Sequence, residues 1–279
     1  MVRLFGPLVG LFFAAALFWC FGNGAVAVIP VVGQYGKFAP PTVESVFHKH
    51  PNEEFALASD GVFGRFDKAQ LQRGFAVYKE VCSNCHSLQY VAFRDLKDLG
   101  YTDPEVKAIA KQWASKVQVQ DPKAGDKTER ANLPSDHFPI VYYAGQGVPP
   151  DLSLMAKARH GGAAYVYSLL TGYAQQPGEL IKQFPDAKTP NGLYYNPYFA
   201  NLNLAMPPPL TSAGQVTYSD GTTASVDQMA KDVSAFLVWT AEPKLEKSRQ
   251  VGFAVVLYLL AATALAYMAY RNVWGDKKH

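Results

Sequence analysis

Two cysteines and a histidine lie close together in the stretch EVCSNCHSLQY, which covers residues 80–90. Two residues separate Cys82 from Cys85, and His86 follows the second cysteine directly. Thiolate and imidazole groups bind zinc, a cysteine pair at this spacing can form a redox-active disulfide, and C-x-x-C-H is also the attachment pattern of c-type haem. The sequence around the motif discriminates between these three chemistries.

A structural zinc site needs four ligands, and residues 28–250 contain no further cysteine. The histidines at 48, 50, 137 and 160 lack paired ligand spacing. A thioredoxin-like dithiol would lie near a βαβ unit, which is not visible, and it has no use for His86. Covalent haem attachment uses all three residues, because the two thiols add to the porphyrin vinyl groups and the imidazole reaches the iron. The motif therefore predicts one covalently bound haem c with His86 as an iron ligand.

The sixth iron ligand has several candidates, namely Met155, Met206, Met229 and the histidines. Met155 and Met229 lie in predicted helices, where packing is the ordinary role of methionine. Met206 lies in NLNLAMPPPLTSAG, and the three prolines after it favour an extended, stiff backbone. His/Met ligation is the usual arrangement in electron-transfer haems. We therefore predict Met206 as the ligand, which leaves no open iron position and favours electron transfer over catalysis.

Haem propionates need cationic or hydrogen-bonding partners, because a carboxylate is costly to bury alone. The segment VPPDLSLMAKARHGGAAYVYSLLTGY, residues 148–173, supplies Arg159, His160 and tyrosines for this purpose. A solvated charge at a helix end is the competing interpretation of the same residues.

Residues 1–27 have the pattern of a secretory signal peptide. A positive charge at Arg3 precedes an apolar run over residues 4–21, and Ala25-Val26-Ala27 has the form of a cleavage site. An uncleaved N-terminal anchor is the alternative, and Cys20 is expected to fill apolar space in this segment. In either case residues 28–250 are predicted to be exported.

A second apolar segment covers residues 251–270 and contains no charge. At a rise of about 1.5 Å per residue it is long enough to span a bilayer, whereas a buried core helix of this kind at a chain end is unusual. Basic residues lie on both sides, so the charge distribution alone does not orient it. The export signal places 28–250 outside and the tail, residues 271–279, in the cytoplasm.

The composition agrees with a membrane-anchored protein. Of 279 residues, 49% are hydrophobic and 18% charged, and the net charge of +3 is too small to indicate nucleic-acid binding. No strand alternation runs far enough to predict a sheet, so we expect a mainly α haem domain with long loops and one C-terminal transmembrane helix. Helices are predicted from Asp67, over 101–117, over 163–173 and from Ser225 to Pro243, with loops over 28–66, 119–136 and 174–224.

Three segments in this order resemble the cytochrome c1 family. They are GVFGRFDKAQLQRGFAVYKEVCSNCHSLQYVAFRDL, the central segment 148–173, and YFANLNLAMPPPLTSAGQVTYSDGT. The resemblance covers most of the chain and implies a cytochrome c-like fold for the haem domain. The implied residue roles are thioether bonds at Cys82 and Cys85, proximal ligation by His86, distal ligation by Met206, propionate contacts from Arg159 and Tyr165, and packing of Pro149 and Pro150 beside the proximal imidazole. Some bacterial members carry an additional disulfide, for which residues 28–250 have no further cysteines, so the methionine segment is expected to be held by packing alone.

The resemblance also implies a function and a location. The chain would be a non-catalytic redox subunit of a dimeric cytochrome bc1 complex, beside cytochrome b in the bacterial inner membrane, with its haem domain on the periplasmic side. It would accept electrons from the Rieske iron–sulfur protein and pass them to a cytochrome c. A free-standing membrane-anchored c-type cytochrome, an oxidase haem subunit and a non-haem structural subunit are the alternatives.

Overall fold

A computed structural model describes residues 2–35, 41–120, 127–145 and 147–275, and helices dominate them. The α-helices are α1 (Val2–Tyr35), α2 (Val43–Phe47), α3 (Lys68–Glu80), α4 (Asp103–Gln112), α5 (Met155–Ala158), α6 (Gly162–Thr171), α7 (Gly178–Gln183), α8 (Val226–Ala241) and α9 (Leu245–Trp274). Short 3-10 helices cover Cys82–Asn84, Phe93–Leu99 and Pro185–Ala187. The antiparallel strand pairs are β1 (Val117–Gln120) with β2 (Lys127–Arg130), and β3 (Tyr194–Tyr195) with β4 (Asn203–Leu204).

The chain forms two units, of which the first is Met1–His48 with Gln176–Lys188. Its long helix α1 is apolar and continues past residue 27, and a stretch from Val9 to Pro30 is long and apolar enough to cross a membrane. The prediction of a loop over 28–66 is therefore wrong for the residues of α1 up to Tyr35 and for those of α2. Residues 36–40 lie outside the described residues. Cleavage near residue 27 stays a prediction.

The second unit, Lys49–Gln175 with Thr189–His279, is built around the packing of α3 on α8. Asp67 caps α3 as predicted, because its carboxylate accepts from the backbone N–H groups of Ala69 and Gln70. A Cβ on Gly74 would lie 2.1 Å from the carbonyl oxygen of Asp232, so only glycine permits this close approach of the two helices. The crossing of α3 and α8 therefore sets the position of the C-x-x-C-H motif, which follows the end of α3.

Aromatic rings fill the core beneath that crossing. Phe75 and Tyr78 of α3 each lie 5.7 Å, ring centre to ring centre, from Phe236 of α8. Trp113 and Phe138 pack beside them, and all five side chains are buried. Such aromatic contacts stabilise a core beyond the area that they bury, so the helix that carries the cysteines rests on a rigid base.

The N-terminal cap of α8 is only half of a capping box. Ser225 Oγ accepts from the backbone N–H of Gln228, but the Gln228 side chain donates to Asp232 Oδ1 instead of returning to Ser225. Asp232 is fully buried and also accepts from Arg73 of α3. A buried carboxylate needs several donors, which explains why the glutamine is drawn away from the cap.

Several predicted loops and boundaries are wrong. The predicted loop 119–136 contains the end of β1 and all of β2, and its residues 121–126 lie outside the described residues. The predicted loop 174–224 contains α7, a 3-10 turn and the short β3–β4 pair. The helix predicted over 101–117 ends at Gln112, because the chain turns at Trp113 to bury its ring. All of these strands are too short to show an alternating pattern from which they could be predicted.

The helix α9 begins six residues before the predicted span and has the length and apolar character of a transmembrane helix. Its first two turns bind the body of the second unit. Glu246 accepts from the backbone N–H of Phe66, and Arg249 Nη1 donates to the carbonyl of Ser59 at 2.6 Å. The predicted C-terminal transmembrane helix is confirmed, and it is joined to the body by side-chain contacts as well as by the chain.

Candidate haem site

The two cysteines of the motif lie on one tight turn at the end of α3. Cys82 begins a 3-10 helix, and the backbone N–H groups of Cys85 and His86 both donate to its carbonyl, at 3.1 and 2.9 Å. Both thiols are free and half-buried. Burial, together with the charge of Cys85, raises the pKa of Cys82 to about 12. The turn brings two thiols and one imidazole together within five residues.

The imidazole of His86 is held by the backbone of a distant segment. Its Nδ1 lies 2.7 Å from the carbonyl oxygen of Pro150. A carbonyl can only accept, so Nδ1 carries the hydrogen and Nε2 keeps its lone pair. Burial lowers the pKa of His86, against the opposing effects of the Pro150 hydrogen bond and the charge of Asp151. The ring is therefore a neutral, oriented imidazole, the form that binds a metal.

A ladder of hydrogen bonds fixes the segment after His86 to the segment after Pro150. Asp151 accepts from the backbone N–H groups of Gln89 and Ser153, at 2.8 and 2.9 Å. Ser153 Oγ accepts from Tyr90 N, and the carbonyl of Ser87 accepts from Leu152 N. The His86–Pro150 contact is thus one rung of a longer connection, which restrains the imidazole in both position and rotation.

Met206 is half-buried and follows the β3–β4 hairpin. The hydroxyl of Tyr173 donates to its backbone carbonyl at 3.0 Å, and burial raises the pKa of Tyr173, which keeps that hydroxyl protonated. The fully buried Asn196 donates from the hairpin to the carbonyl of Leu169 in α6. The methionine segment, which has no disulfide, is therefore held by hydrogen bonds to the α6 region in addition to packing.

Arg159 and Tyr165 lie on either side of the α6 N-terminus. Arg159 is exposed and donates to the neighbouring carbonyl of Ala158, and among the described residues its guanidinium has no carboxylate partner. Tyr165 is half-buried and packs against the same hydrophobic core as Cys82. The cation at residue 159 is available for an anion.

The loop 139–150, of which residue 146 lies outside the described residues, connects the histidine side of the site to the methionine side. At one end Pro150 contacts His86, and at Gly147, where φ is +79°, a Cβ would lie 3.8 Å from the Cβ of Ala205, the residue before Met206. The loop also exposes apolar side chains: Ile140, Tyr142 and Val148 are 72%, 91% and 93% exposed.

These features fit a haem. Two thiols on one turn match the two vinyl groups, a free Nε2 matches the iron, and the exposed apolar loop matches a large apolar ring. Among the described residues no group of three or more His, Cys, Asp and Glu side chains could hold a metal ion by itself. A cavity of about 240 Å³ between α5, α6 and α8 is lined by other residues and by none of the predicted iron ligands.

Several residues that position the site were missed by the sequence analysis. They are Tyr78, whose hydroxyl donates to the His86 carbonyl at 3.0 Å, with Ser87, Asp151 and Tyr173. Asp151 directly follows the two prolines, and a carboxylate after such a rigid pair was the available signal. Tyr78 and Tyr173 gave no signal, because tyrosine on a helix face ordinarily indicates packing.

A mainly α domain that presents C-x-x-C-H at the end of a core helix, above a single C-terminal membrane helix, defines the class of membrane-anchored c-type cytochromes. The comparisons with known proteins identify the family. The model of the cytochrome C1 family matches residues 57–277, and the chain belongs to that family. It is accordingly a haem-bearing electron-transfer subunit of the cytochrome bc1 complex.

Individual relatives support this family assignment. The chain is 42% identical over 236 residues to cytochrome c1 of Rhodospirillum rubrum, covering 78% of this chain and 86% of the relative. It is 37% identical over 262 residues to cytochrome c1 of Cereibacter sphaeroides, covering 81% and 88%. It is also 40% identical over 251 residues to cytochrome b/c1 of Bradyrhizobium diazoefficiens, which covers 82% of this chain but 36% of that longer relative.

Proposed function

We propose that this chain carries one covalent haem c, receives electrons from the Rieske iron–sulfur protein and delivers them to a cytochrome c. Cys82 and Cys85 would form the thioether bonds, and His86 and Met206 would bind the iron. The bound group supplies reversible one-electron chemistry between ferrous and ferric iron. The protein residues hold it, orient it and exclude other ligands.

The observation that carries this proposal is the hydrogen bond from His86 Nδ1 to the carbonyl of Pro150. This hydrogen bond directs Nε2 away from the backbone and makes Nε2 a stronger electron-pair donor. Metal-ligating histidines commonly have their second ring nitrogen bound in this way. The neighbouring turn presents both thiols within four residues of this ring. Neither a structural histidine nor a redox dithiol requires this combination.

Met206 supplies the second axial ligand in this proposal. Its backbone is restrained by Tyr173, and the loop 139–150 approaches both Ala205 and His86. A thioether favours ferrous iron and so raises the reduction potential. With both positions filled, oxygen has no place to bind, and the site transfers electrons without catalysing bond chemistry.

The unpaired guanidinium of Arg159 and the hydroxyl of Tyr165 are suited to the haem propionates. A carboxylate that lies partly out of water is stabilised by a charge-assisted hydrogen bond. Arg159 is exposed in the protein and has no carboxylate partner in the described part of the chain, so it can bind a propionate without breaking an existing ion pair.

The location and partners follow from the family and the anchor. We place α9 in the bacterial inner membrane beside cytochrome b, with the haem domain on the periplasmic side and the complex as a dimer. The name of the Bradyrhizobium relative joins cytochrome b and c1, which supports this neighbour. We further propose that residues 1–27 act as the export signal for the body.

The test uses the full chain with an affinity tag, purified from membranes in mild detergent. We expect a c-type pyridine haemochrome, co-purified b-type haem, a Rieske electron paramagnetic resonance signal, and reduction of the c-type haem by quinol that depends on the Rieske centre. A chain with c-type haem but without b-type haem would instead be a free-standing cytochrome.

The three cysteines provide matched variants for haem attachment. Cys82→Ala and Cys85→Ala each remove one thioether, so covalent haem should fall sharply and the protein should be degraded. Cys20→Ala changes a cysteine of α1 and should leave haem content unchanged. Normal accumulation of the Cys82→Ala/Cys85→Ala double variant without covalent haem would show that the haem does not organise this domain.

A further inference from the structure

The turn Gly61–Gly64 projects two apolar side chains beside the start of α9. The backbone N–H of Gly64 donates to the carbonyl of Gly61 at 3.3 Å, which closes a four-residue turn with Val62 and Phe63 at its centre. Gly61 has a φ of +74°, and a Cβ on Gly64 would lie 2.1 Å from the carbonyl oxygen of Asp60. The two glycines therefore force a tight turn that points its central side chains outward.

The base of this turn is rigid. Arg65 N donates to the carbonyl of Ala58, and the carboxylate of Asp60 accepts from Leu57 N. The hydrogen bonds from Phe66 to Glu246 and from Arg249 to Ser59 attach the same segment to the first two turns of α9. The turn therefore has a fixed position along the axis of α9.

At this position the turn lies beside the apolar part of α9. The ring of Phe63 contacts the ring of Phe253 edge-on, with centres 6.3 Å apart. Phe253 is four residues beyond Arg249, the last charged residue before the uncharged run, and four residues of helix rise about 6 Å. Phe63 therefore lies level with a residue inside the membrane-spanning part of the helix.

The protein does not cover these two side chains. Val62 is 66% exposed and Phe63 is 83% exposed, in spite of the ring contact with Phe253. The sequence around the tip and at the start of α9 is charged: the basic residues Arg65, Lys68, Lys244, Lys247 and Arg249 are interspersed with Asp60, Asp67 and Glu246. An apolar tip bordered by charged side chains matches the boundary between acyl chains and polar headgroups.

We infer that Val62 and Phe63 insert into the outer boundary of the lipid bilayer next to α9, as a second membrane contact of the body. The occupant of this surface is lipid, because the tip is continuous with the lipid-spanning helix through Phe253. With the contacts at Glu246 and Arg249, this insertion fixes the orientation of the body above the membrane, which a single helix leaves free to rotate. The inference rests on α9 as a membrane span and is independent of the iron ligands.

The test places the photo-crosslinking residue p-benzoylphenylalanine at position 63 of the full chain in its native membrane. Position 258 is the lipid-facing reference, because Tyr258 lies within α9 and is 71% exposed. Position 133 is the exposed control, because Leu133 is 51% exposed and has no described ring contact or hydrogen bond with α9. Illumination is followed by mass spectrometry of the adducts, and the haem spectrum verifies that each variant is folded.

We expect lipid adducts at position 63 in a yield comparable to that at position 258 and at least tenfold above that at position 133. A yield no higher than at position 133 would overturn the inference. Adducts at position 63 on another polypeptide would also overturn it, because the tip would then be a protein–protein contact.

Discussion

The Nδ1 atom of His86 lies 2.7 Å from the carbonyl oxygen of Pro150, a residue 64 positions further along the chain. Because Asp151, Leu152 and Ser153 continue the connection between the two segments, the imidazole is positioned before any ligand binds it. An iron ligand that is positioned in advance undergoes less rearrangement when the iron changes oxidation state, which supports the role that we propose for His86. The predictions below test this arrangement and the elements that support it.

Replacement of Met206 by leucine should leave the covalent haem in place but lower its reduction potential. Leucine keeps the size and apolarity of the side chain, so the fold should change little. Loss of the thioether should lower the potential by on the order of 0.1 V, given the range that axial ligands span. Redox titration measures this shift, and binding of carbon monoxide to the reduced protein reports the open iron position.

The matched control is Met155→Leu, since Met155 lies in α5 and packs against the core. It should keep the parent's potential and remain inert to carbon monoxide. If Met206→Leu behaved like this control, the sixth ligand would be another residue.

Asp151→Ala should loosen the segment that carries the proximal histidine. The N–H groups of Gln89 and Ser153 would lose their acceptor, and unsatisfied donors of this kind cost about 1–3 kcal/mol. Denaturant unfolding of the purified holoprotein measures the loss. Asp98→Ala is the control, because Asp98 is exposed and forms no ion pair in the described part of the chain; equal stability of the two variants would contradict the prediction.

Asp220→Asn should reduce the acid-dependent part of the stability. The hydrogen bond from Thr222 N and the contact with Arg73 lower the pKa of Asp220 from 3.8 to about 2. A folded pKa below the unfolded value stabilises the protein above the unfolded pKa, and this contribution is lost as the pH falls to the folded pKa. The difference in free energy of unfolding between parent and variant should therefore be constant near neutral pH and shrink between pH 3.8 and about 2. A difference that is the same at both ends of this range would show that the charge is not its source.

Two truncations separate the anchor from its contacts with the body. A chain cut after Gln250 keeps Glu246 and Arg249, whereas a chain cut after Lys244 loses both of their hydrogen bonds to the 59–66 segment. We expect both to be exported as soluble, haem-containing proteins, with the shorter one less stable by about 1–3 kcal/mol. Denaturant unfolding compares them. Aggregation of both without haem would show that the body does not fold apart from its anchor.

The sequence by itself determined the features that depend on neighbouring residues. The C-x-x-C-H motif and the transmembrane helix are local patterns, because their chemistry or hydrophobic length is complete within one segment. The cap of α3 at Asp67 is equally local, since its carboxylate lies within a few residues of the backbone N–H groups that it satisfies. The sequence predicted these features, although α9 begins six residues before the predicted span.

Only the tertiary structure decided which distant segments meet. The partner of Gln228 is Asp232 because a buried carboxylate attracts the donors around it, and the capping pattern contains no information about that burial. The short strands and α7 inside the predicted loops form because neighbouring segments supply partners for their backbone groups. The loop 139–150 reaches both His86 and Ala205 for the same reason. Such contacts join residues that are tens of positions apart. Their free energy depends on packing in three dimensions, and the spacing of residues along the chain does not predict that packing.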